Sequence, residues 1–273
     1  MKKVFLSAAA AVLIALSSAS AASVSKVNIG FLSRLNISEE DFRRIIQHRQ
    51  GAAQWRTLSK SHDDYGVQFY DTMTAMIMAL SREDVNEIAL PEVIGDYLID
   101  HNNSLVPSCI SRSNVSLGLA FGFKKSDAAL AEKFNNALRA IKEDWTLSAL
   151  QGSYIYNKAV MRPVKFDTFK GAKTVKVAVT GDLPPIDYID EAGRPAGFNA
   201  ALLAELGRRM KVNMKLLNIN AGARTAALVS GRADVVFWYE TAQDKSWKCD
   251  APEDILLSEP YYFWNKFLHI RHR

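Results

Sequence analysis

The sequence is poor in the residues that build most enzymatic and metal sites. It holds two cysteines and five histidines in 273 residues, which excludes a disulfide-rich scaffold. It contains no glycine-rich phosphate loop, no His-Glu-x-x-His run, no Cys-x-x-Cys pair and no Gly-x-Ser-x-Gly elbow. Of the histidines, His269 and His272 are assigned to a basic carboxyl-terminal tail. The sequence therefore predicts no enzyme, no catalytic residue, no metal and no cofactor.

An excess of charge of one sign is also lacking. The formal net charge is +5, and it falls to +3 when Lys2 and Lys3 are removed with a leader. The one basic cluster, in residues 157–173, is interpreted as a solvated linker. A nucleic-acid binder would concentrate its basic residues on one face. We therefore expect no nucleic-acid partner.

Long hydrophobic runs are absent after the first twenty residues. Lys2 and Lys3 precede an apolar run of 13 residues, Val4 to Leu16, and small residues follow up to Ala21. This layout is typical of a secretory signal peptide, and the run is too short to span a bilayer. We predict a signal peptide over residues 1–21 and a soluble protein in the periplasm or otherwise exported. Cys109 and Cys249 permit one disulfide there, and the sequence leaves both the paired and the unpaired state open.

Strand-like and helix-like segments alternate along the rest of the chain. Strands are predicted at 27–32, 87–90, 115–123, 174–179, 212–219 and 234–238, and helices after Ser38 and over 71–80, 91–98, 126–144, 199–210 and 224–230. This order predicts an α/β fold with mostly parallel sheet. In Val115 to Phe123 large residues alternate with small ones, so the face carrying Gly118 and Gly122 is predicted to lie close against other backbone.

Polar and aromatic residues follow four of the predicted strands. In open α/β sheets the carboxyl ends of strands form the crevice where ligands bind. The candidate ligand-binding residues are Asp182, Asp187 and Tyr188; Trp238, Tyr239, Glu240 and Thr241; Ser33, Arg34 and Asn36; and Glu92. For each residue taken alone, a role as a cap or a core aromatic is an equal alternative.

Several segments resemble one family of transport proteins. Residues 175–199, with Leu183-Pro184-Pro185-Ile186-Asp187-Tyr188, resemble the opening of the family 3 solute-binding proteins, the amino-acid receptors of ABC importers. The runs Ser230-Gly231-Arg232-Ala233-Asp234-Val235 and Leu257-Ser258-Glu259-Pro260-Tyr261-Tyr262 resemble its next landmarks. Residues 69–147 resemble the second lobe and carboxyl-terminal segment of that family. The resemblance implies a two-lobed fold of the periplasmic-binding-protein type II, each lobe a mostly parallel sheet flanked by helices.

The resembling segments stand in reversed order, which is interpreted as a circular permutation. Residues 22–112 correspond to the family's second lobe, and residues 113–273 to its first lobe plus the carboxyl-terminal helices. Residues 157–173 then link the former ends, and residues 108–114 are expected to be the only covalent crossover between the lobes. The mature length suits one receptor with its lobes in swapped order.

The resemblance implies capture of a small polar solute, an amino acid or related compound, by closure of the two lobes. Its implied partner is the membrane permease of an ABC importer, and a monomer is expected. The family's carboxylate-binding Arg is missing from the run Thr241 to Lys245, so Arg224 or Arg34 is its candidate replacement. Glu92 is the candidate residue for binding the solute's amine.

Two alternatives to a transport receptor remain open. One is a dehydratase-like enzyme using Glu240 or Glu92 as acid/base, and the other is a sensor or partner-binding protein without a transport role.

Overall fold

The computed structural model describes residues 27–33, 39–46, 49–50, 65–157, 162–242 and 251–273. The predicted signal peptide, Arg34, Asn36, Ser38 and Cys249 lie outside these residues. No helix within the described ranges is long and apolar enough to cross a membrane.

The described chain forms thirteen strands and seven α-helices. The strands are β1 (Val27–Leu32), β2 (Arg49–Gln50), β3 (Tyr65–Tyr70), β4 (Glu87–Pro91), β5 (Leu105–Lys124), β6 (Thr174–Val179), β7 (Asp182–Leu183), β8 (Asp187–Ile189), β9 (Pro195–Ala196), β10 (Asn213–Asn218), β11 (Val235–Ala242), β12 (Ile255–Leu257) and β13 (Tyr262–His272). The helices are α1 (Glu39–Ile46), α2 (Met73–Ser81), α3 (Glu92–Asp100), α4 (Ala128–Glu143), α5 (Thr146–Gln151), α6 (Gly197–Met210) and α7 (Arg224–Val229). The predicted α/β class is confirmed.

Two parallel triplets of strands give the molecule its two lobes. In lobe A, β4, β1 and β3 are parallel neighbours. In lobe B, β10, β6 and β11 are parallel neighbours. The strand order of the large sheet is β10-β6-β11-β5-β13-β4-β1-β3, so β5 and β13 lie between the triplets. This arrangement confirms the two-lobed fold with mostly parallel sheets.

Both central strands pass from one lobe to the other. The amino-terminal half of β5 and the carboxyl-terminal half of β13 pair with each other in lobe A, where β13 also pairs with β4. The carboxyl-terminal half of β5 pairs with β11 in lobe B, and Tyr262 of β13 lies opposite Leu119 there. The prediction of a single crossover over residues 108–114 is therefore wrong. The interpretation of His269 and His272 as tail residues is also wrong, because both lie in β13 and His269 is fully buried.

Aromatic side chains fill the core of each lobe. In lobe A the ring of Phe31 stacks on Phe42 of α1 at 4.1 Å and lies 6.0 Å from Phe267. In lobe B the ring of Phe121 lies 4.6 Å from Tyr261 and 5.2 Å from Phe134 of α4. The contacts of Phe31 with Phe267 and of Phe121 with Tyr261 join residues far apart in sequence, so each core is completed by residues near the carboxyl-terminal end of the chain.

The glycines of β5 lie in close contact with neighbouring side chains, whereas the alternation of large and small residues predicted an approach to other backbone. A Cβ atom added at Gly122 would lie 2.4 Å from the ring of Tyr239. One added at Gly118 would lie 2.9 Å from Pro260 and 3.0 Å from Phe263. Since real Cβ atoms do not approach other atoms so closely, the backbone of β5 reaches these side chains only with glycine at both positions.

The predicted linker packs on lobe B where it is described. The amide of Val164 donates to the carbonyl of Pro195, and the amide of Phe169 donates to the side chain of Asn213 at 2.8 Å. Residues 158–161 lie outside the described ranges. The segment therefore runs along the lobe, and its backbone groups are partly paired.

Candidate functional site

The carboxyl ends of both parallel triplets converge on the middle of the central strands. Pro91, which ends β4, lies opposite Phe267, and Ala242, which ends β11, lies opposite Leu117. Because β4 and β11 each run antiparallel to the central strand beside them, they approach this region from opposite sides. We call residues 112–117 of β5 and 264–266 of β13 the midsection. Ligands of α/β sheets bind beyond the carboxyl ends of strands, so the midsection is the candidate site.

The pairing of β5 with β13 is irregular at the midsection. Arg112 lies opposite Lys266 and Leu117 lies opposite Trp264, so four residues of β5 face one residue of β13. The hydroxyl of Ser113 accepts a hydrogen bond from the amide of Val115 at 3.0 Å, which turns the backbone inside the strand. An interrupted ladder bends more easily than a continuous one, so bending of β5 and β13 is favoured at this point.

Lobe A contributes an ion pair to the site. Glu92 begins α3 directly after β4, and its carboxylate lies 3.2 Å from the Nζ atom of Lys266 in the midsection. Both side chains are about one third exposed. Ser33 follows β1, and its hydroxyl donates to Asp71 at 2.8 Å at the end of β3. Glu92 and Ser33 therefore lie at the strand ends where the sequence predicts them.

Lobe B holds Asp187 in a closed hydrogen-bond network. Its carboxylate accepts hydrogen bonds from the amide and the hydroxyl of Thr180, both at 2.9 Å, and from the side chain of Asn199 at 3.2 Å. Asp187 is 2 % exposed. These contacts fix the loop after β6 against the start of α6, while Asp182 and Tyr188 on the same loop are partly exposed. The visible role of Asp187 is to hold this loop, and a contact with solute stays a prediction.

The end of β11 joins the midsection through buried side chains. Glu240 accepts a hydrogen bond from the indole nitrogen of Trp264 at 2.6 Å, and it is 2 % exposed. The ring of Trp238 packs edge-on against Trp264 at 5.3 Å. Among the described residues, the buried indole nitrogen of Trp238 has no hydrogen-bond partner. Trp238 and Glu240 thus lie beside the midsection, as the sequence predicts.

Three further candidates on lobe B have different surroundings. Arg224 is buried and donates to the backbone carbonyl of Trp238 at 2.9 Å. The hydroxyl of Tyr239 shares a hydrogen bond with Thr225 on α7 at 2.6 Å, on the face of the sheet that packs against α7. Thr241 is partly exposed opposite Gly118. Arg224 therefore supports the backbone of β11 from within the lobe.

Tyrosines from the two lobes influence one another across the site. Burial raises the pKa of the Tyr97 phenol on α3, and the phenol of Tyr188 on β8 raises it further. Burial raises the pKa of the Tyr262 phenol as well, with additional effects of Tyr156 and Glu92. Since α3 belongs to lobe A and Tyr188, Tyr156 and Tyr262 lie on the lobe B side, the site is bounded from both lobes.

Several residues of this site were missed by the sequence reasoning. Lys266 and Trp264 lie in β13, a strand that the sequence does not predict, and Tyr97 and Asp71 lie in the predicted helices 91–98 and 71–80 without a role in the site. Tyr262 belongs to a run that resembles the family, and the sequence gives it no role in the site. Lys266 is the one lysine in the last 23 residues, and nothing in its local sequence marks it as the partner of Glu92.

Several solved structures are distantly similar to this chain. A ligand-binding component of an ABC-type import system from Staphylococcus aureus, with zinc bound, is 9% identical over 89% of this chain, with a TM-score of 0.41, and the chain spans 65% of its length. A nutrient-binding protein from Burkholderia cenocepacia bound to methionine is 10% identical over 90% of this chain and 84% of its own, with a TM-score of 0.40. The GluR0 ligand-binding core with L-glutamate is 10% identical over 92% of this chain and 86% of its own, with a TM-score of 0.39. No curated protein matches the chain.

The match to a protein family covers most of lobe B and the beginning of β13. Residues 175–268 match the family described as bacterial extracellular solute-binding proteins, family 3. The matched segment begins in β6 and ends just past Lys266, so it contains the β6 loop, β11 and the midsection of β13. Through this segment the chain is similar to the family 3 solute-binding proteins.

Proposed function

We propose that the protein is an exported receptor that captures a small polar solute, an amino acid or a related compound, between its lobes and delivers it to the permease of an ABC importer. The observation that carries the proposal is the position of the Glu92–Lys266 ion pair. It lies where the carboxyl ends of both parallel triplets converge.

The ion pair has the charges that a zwitterionic solute requires. A carboxylate such as Glu92 binds an ammonium group, and the Nζ atom of Lys266 binds a carboxylate. A partly exposed ion pair contributes only about 0–1 kcal/mol to stability, so a solute can replace it with two charge-assisted contacts at small cost. The buried indole nitrogen of Trp238 is a further donor for a solute oxygen. Lys266 thereby takes the role that the family resemblance assigned to Arg224 or Arg34.

Closure of the lobes is the proposed means of capture. The irregular pairing at the midsection supports a hinge there, because few ladder hydrogen bonds oppose bending. A solute that contacts Glu92 and Lys266 on one side and the β6 loop with Asp182 and Tyr188 on the other favours the closed state by its additional contacts. Binding therefore shifts the population of open and closed lobes.

A binding screen of the full chain tests this function. We expect one L-amino acid or close relative to raise the melting temperature in a thermal-shift panel, with 1:1 calorimetric binding and no product after prolonged incubation. At a ligand concentration 100 times Kd the stabilisation is about 2.7 kcal/mol. Turnover of a panel compound would instead indicate an enzyme that uses Glu92 or Glu240. A panel without any effect would contradict amino-acid capture and favour a sensor or partner-binding role.

We also propose that the chain is a circular permutant of the family's order, with the lobe boundary near residues 112 and 113. The positions of β13 and β1 support this. Ile270 of β13 and Gly30 of β1 both lie opposite Ile88 of β4. Neighbouring strands are about 4.8 Å apart, so β13 and β1 are separated by about 10 Å. Since β13 ends at the same edge of lobe A where β1 begins, a short loop from 273 to 27 restores a continuous lobe.

A rearranged chain tests the permutation. We expect a protein that begins at residue 162, joins 273 to 27 by a short Gly/Ser loop and ends at residue 157 to fold with the same circular dichroism spectrum and the same solute affinity. Its new ends lie beside residues 158–161, where the proposed junction of the former ends lies. The control joins 273 to 27 but opens the chain between β6 and α6, inside the lobe B core. Equal failure of both rearranged chains would contradict the permutation.

A further inference from the structure

A second group of reactive side chains lies in lobe A, apart from the midsection. Glu87, Cys109 and His269 each offer one ligand atom, and these atoms all lie within 4.8 Å of one another. Cys109 and His269 are buried, and Glu87 is 12 % exposed in its side chain. Glu87 begins β4, about 13 Å along that strand from Pro91, because a strand rises about 3.3 Å per residue.

The register of the sheet places the three residues on one face. Cys109 of β5 lies directly opposite His269 of β13, and Ala89 of β4 lies opposite His269 on its other side. Glu87 is two residues before Ala89, so its side chain is on the same face as that of His269. The cluster is therefore built by three adjacent strands, which hold its members at fixed spacing.

Two serines orient the potential ligand atoms. The Nε2 atom of His269 lies 2.9 Å from the hydroxyl of Ser111, and the hydroxyl of Ser108 donates to the Oε1 atom of Glu87 at 2.5 Å. These contacts leave the Nδ1 atom of His269 and the Oε2 atom of Glu87 directed at each other, 3.3 Å apart. Metal-ligating histidines and carboxylates usually have such outer partners, which fix the ring and the carboxylate.

The distance between Nδ1 and Oε2 agrees with joint coordination of one ion. Zinc binds nitrogen and oxygen ligands at about 2.0–2.2 Å in a tetrahedron, whose edges are then about 3.3–3.6 Å. A thiolate and an imidazole favour zinc-class ions over magnesium and calcium, which prefer all-oxygen sites. The Sγ atom of Cys109 lies within 4.8 Å of both partner atoms, so it reaches tetrahedral spacing by a movement of about 1 Å or less.

We propose that Glu87, Cys109 and His269 form a binding site for one divalent zinc-class ion inside lobe A. On binding, the ion displaces the proton of the Cys109 thiol to solvent, while the Nδ1 lone pair of His269 and the carboxylate of Glu87 complete the three protein ligands. Since the ligands come from β4, β5 and β13, the ion ties both central strands to the lobe A triplet and stabilises that lobe.

Metal uptake by the full chain tests the proposal. After treatment with a chelator and its removal, we expect native mass spectrometry to show one Zn²⁺ per chain, and the melting temperature to rise on addition of Zn²⁺. Loading with Co²⁺ is expected to give a thiolate-to-cobalt charge-transfer band. Cys109→Ser abolishes that band, and Glu87→Gln and His269→Gln each weaken Zn²⁺ binding by at least about 10-fold in competition with a chromophoric chelator.

The matched control is His101→Gln, which alters a histidine that stacks on Tyr97 and leaves the three ligands in place. It is expected to bind Zn²⁺ like the unaltered protein. If a variant fails to fold, Zn²⁺ uptake and the Co²⁺ band of the unaltered protein alone decide whether the site exists. Absence of one-to-one Zn²⁺ uptake, or of the charge-transfer band with Co²⁺, would show that Glu87 and His269 form only a buried structural contact. Zn²⁺ binding with equal affinity in Cys109→Ser would also overturn the site.

Discussion

Replacing Phe121 with alanine is expected to lower the free energy of unfolding by about 3–5 kcal/mol. Phe121 is fully buried in lobe B, and its ring contacts Phe134, Phe237 and Tyr261. The substitution removes the ring from the centre of this aromatic cluster and leaves a cavity that its neighbours fill only in part. Because small domains have a total stability of about 5–15 kcal/mol, such a loss is a large fraction of it.

The experiment is urea unfolding, followed by tryptophan fluorescence and by far-ultraviolet circular dichroism. Phe263→Ala is the control, since Phe263 lies in β13 and is 43 % exposed, and its loss is expected to cost less than about 1 kcal/mol. Phe121 and Phe134 precede the linker, whereas Phe237 and Tyr261 follow it. Because the two segments share one core, fluorescence and circular dichroism are expected to report one coincident unfolding transition for lobe B. A loss below about 1 kcal/mol for Phe121→Ala would contradict a shared core.

The sequence predicts best those helices and strands whose first or last residue is marked by a neighbouring polar segment or glycine. The bounds of β6 coincide with the predicted strand 174–179, because a polar linker precedes it and Gly181 follows it. The helix α7 is predicted to within one residue, since Gly231 stands just after its end. In each of these cases, the chain itself carries the start or stop signal.

The long central strands are predicted poorly because their signals depend on distant partners. The strand β13 is buried on both faces over residues 267–270, so it lacks the alternation of apolar and polar residues that marks a half-buried strand. The cluster of Glu87, Cys109 and His269 could not be predicted for the same reason. Its members meet only through the register of three strands that are far apart in sequence.

The positions of Glu92 and Trp238 could be predicted because each residue lies at the end of a predicted strand. The cation of the candidate site was assigned to Arg224 or Arg34 by family analogy, while the structure pairs Glu92 with Lys266. Arginines are usually exposed, whereas Arg224 is buried. Its position at the start of α7, under the carbonyl of Trp238, became visible only in the folded lobe.

The largest functional effect is expected from Lys266→Met, which should weaken binding of the solute identified in the screen by about 10–100-fold. The reason is the loss of a charge-assisted contact to the solute's carboxylate in a partly desolvated site, worth about 1.5–3 kcal/mol. The ligand-free protein is expected to keep its melting temperature, because the Glu92–Lys266 pair is partly exposed and adds little stability. Lys215→Met, on the exposed side of β10, is the matched control and should bind normally.

Solute analogues separate the roles of the two charges. If Lys266 binds the carboxylate, then the amide analogue of the solute binds the unaltered protein weakly, and Lys266→Met weakens it little further. If Glu92 binds the amine, then Glu92→Gln weakens the intact solute but not its deaminated analogue. The two substitutions and the two analogues form double-mutant cycles, and coupling energies above about 1 kcal/mol on the matching pairs are the expected result. Equal losses for all solutes would mean that the ion pair only shapes the midsection, and that the solute's charges are bound by other residues.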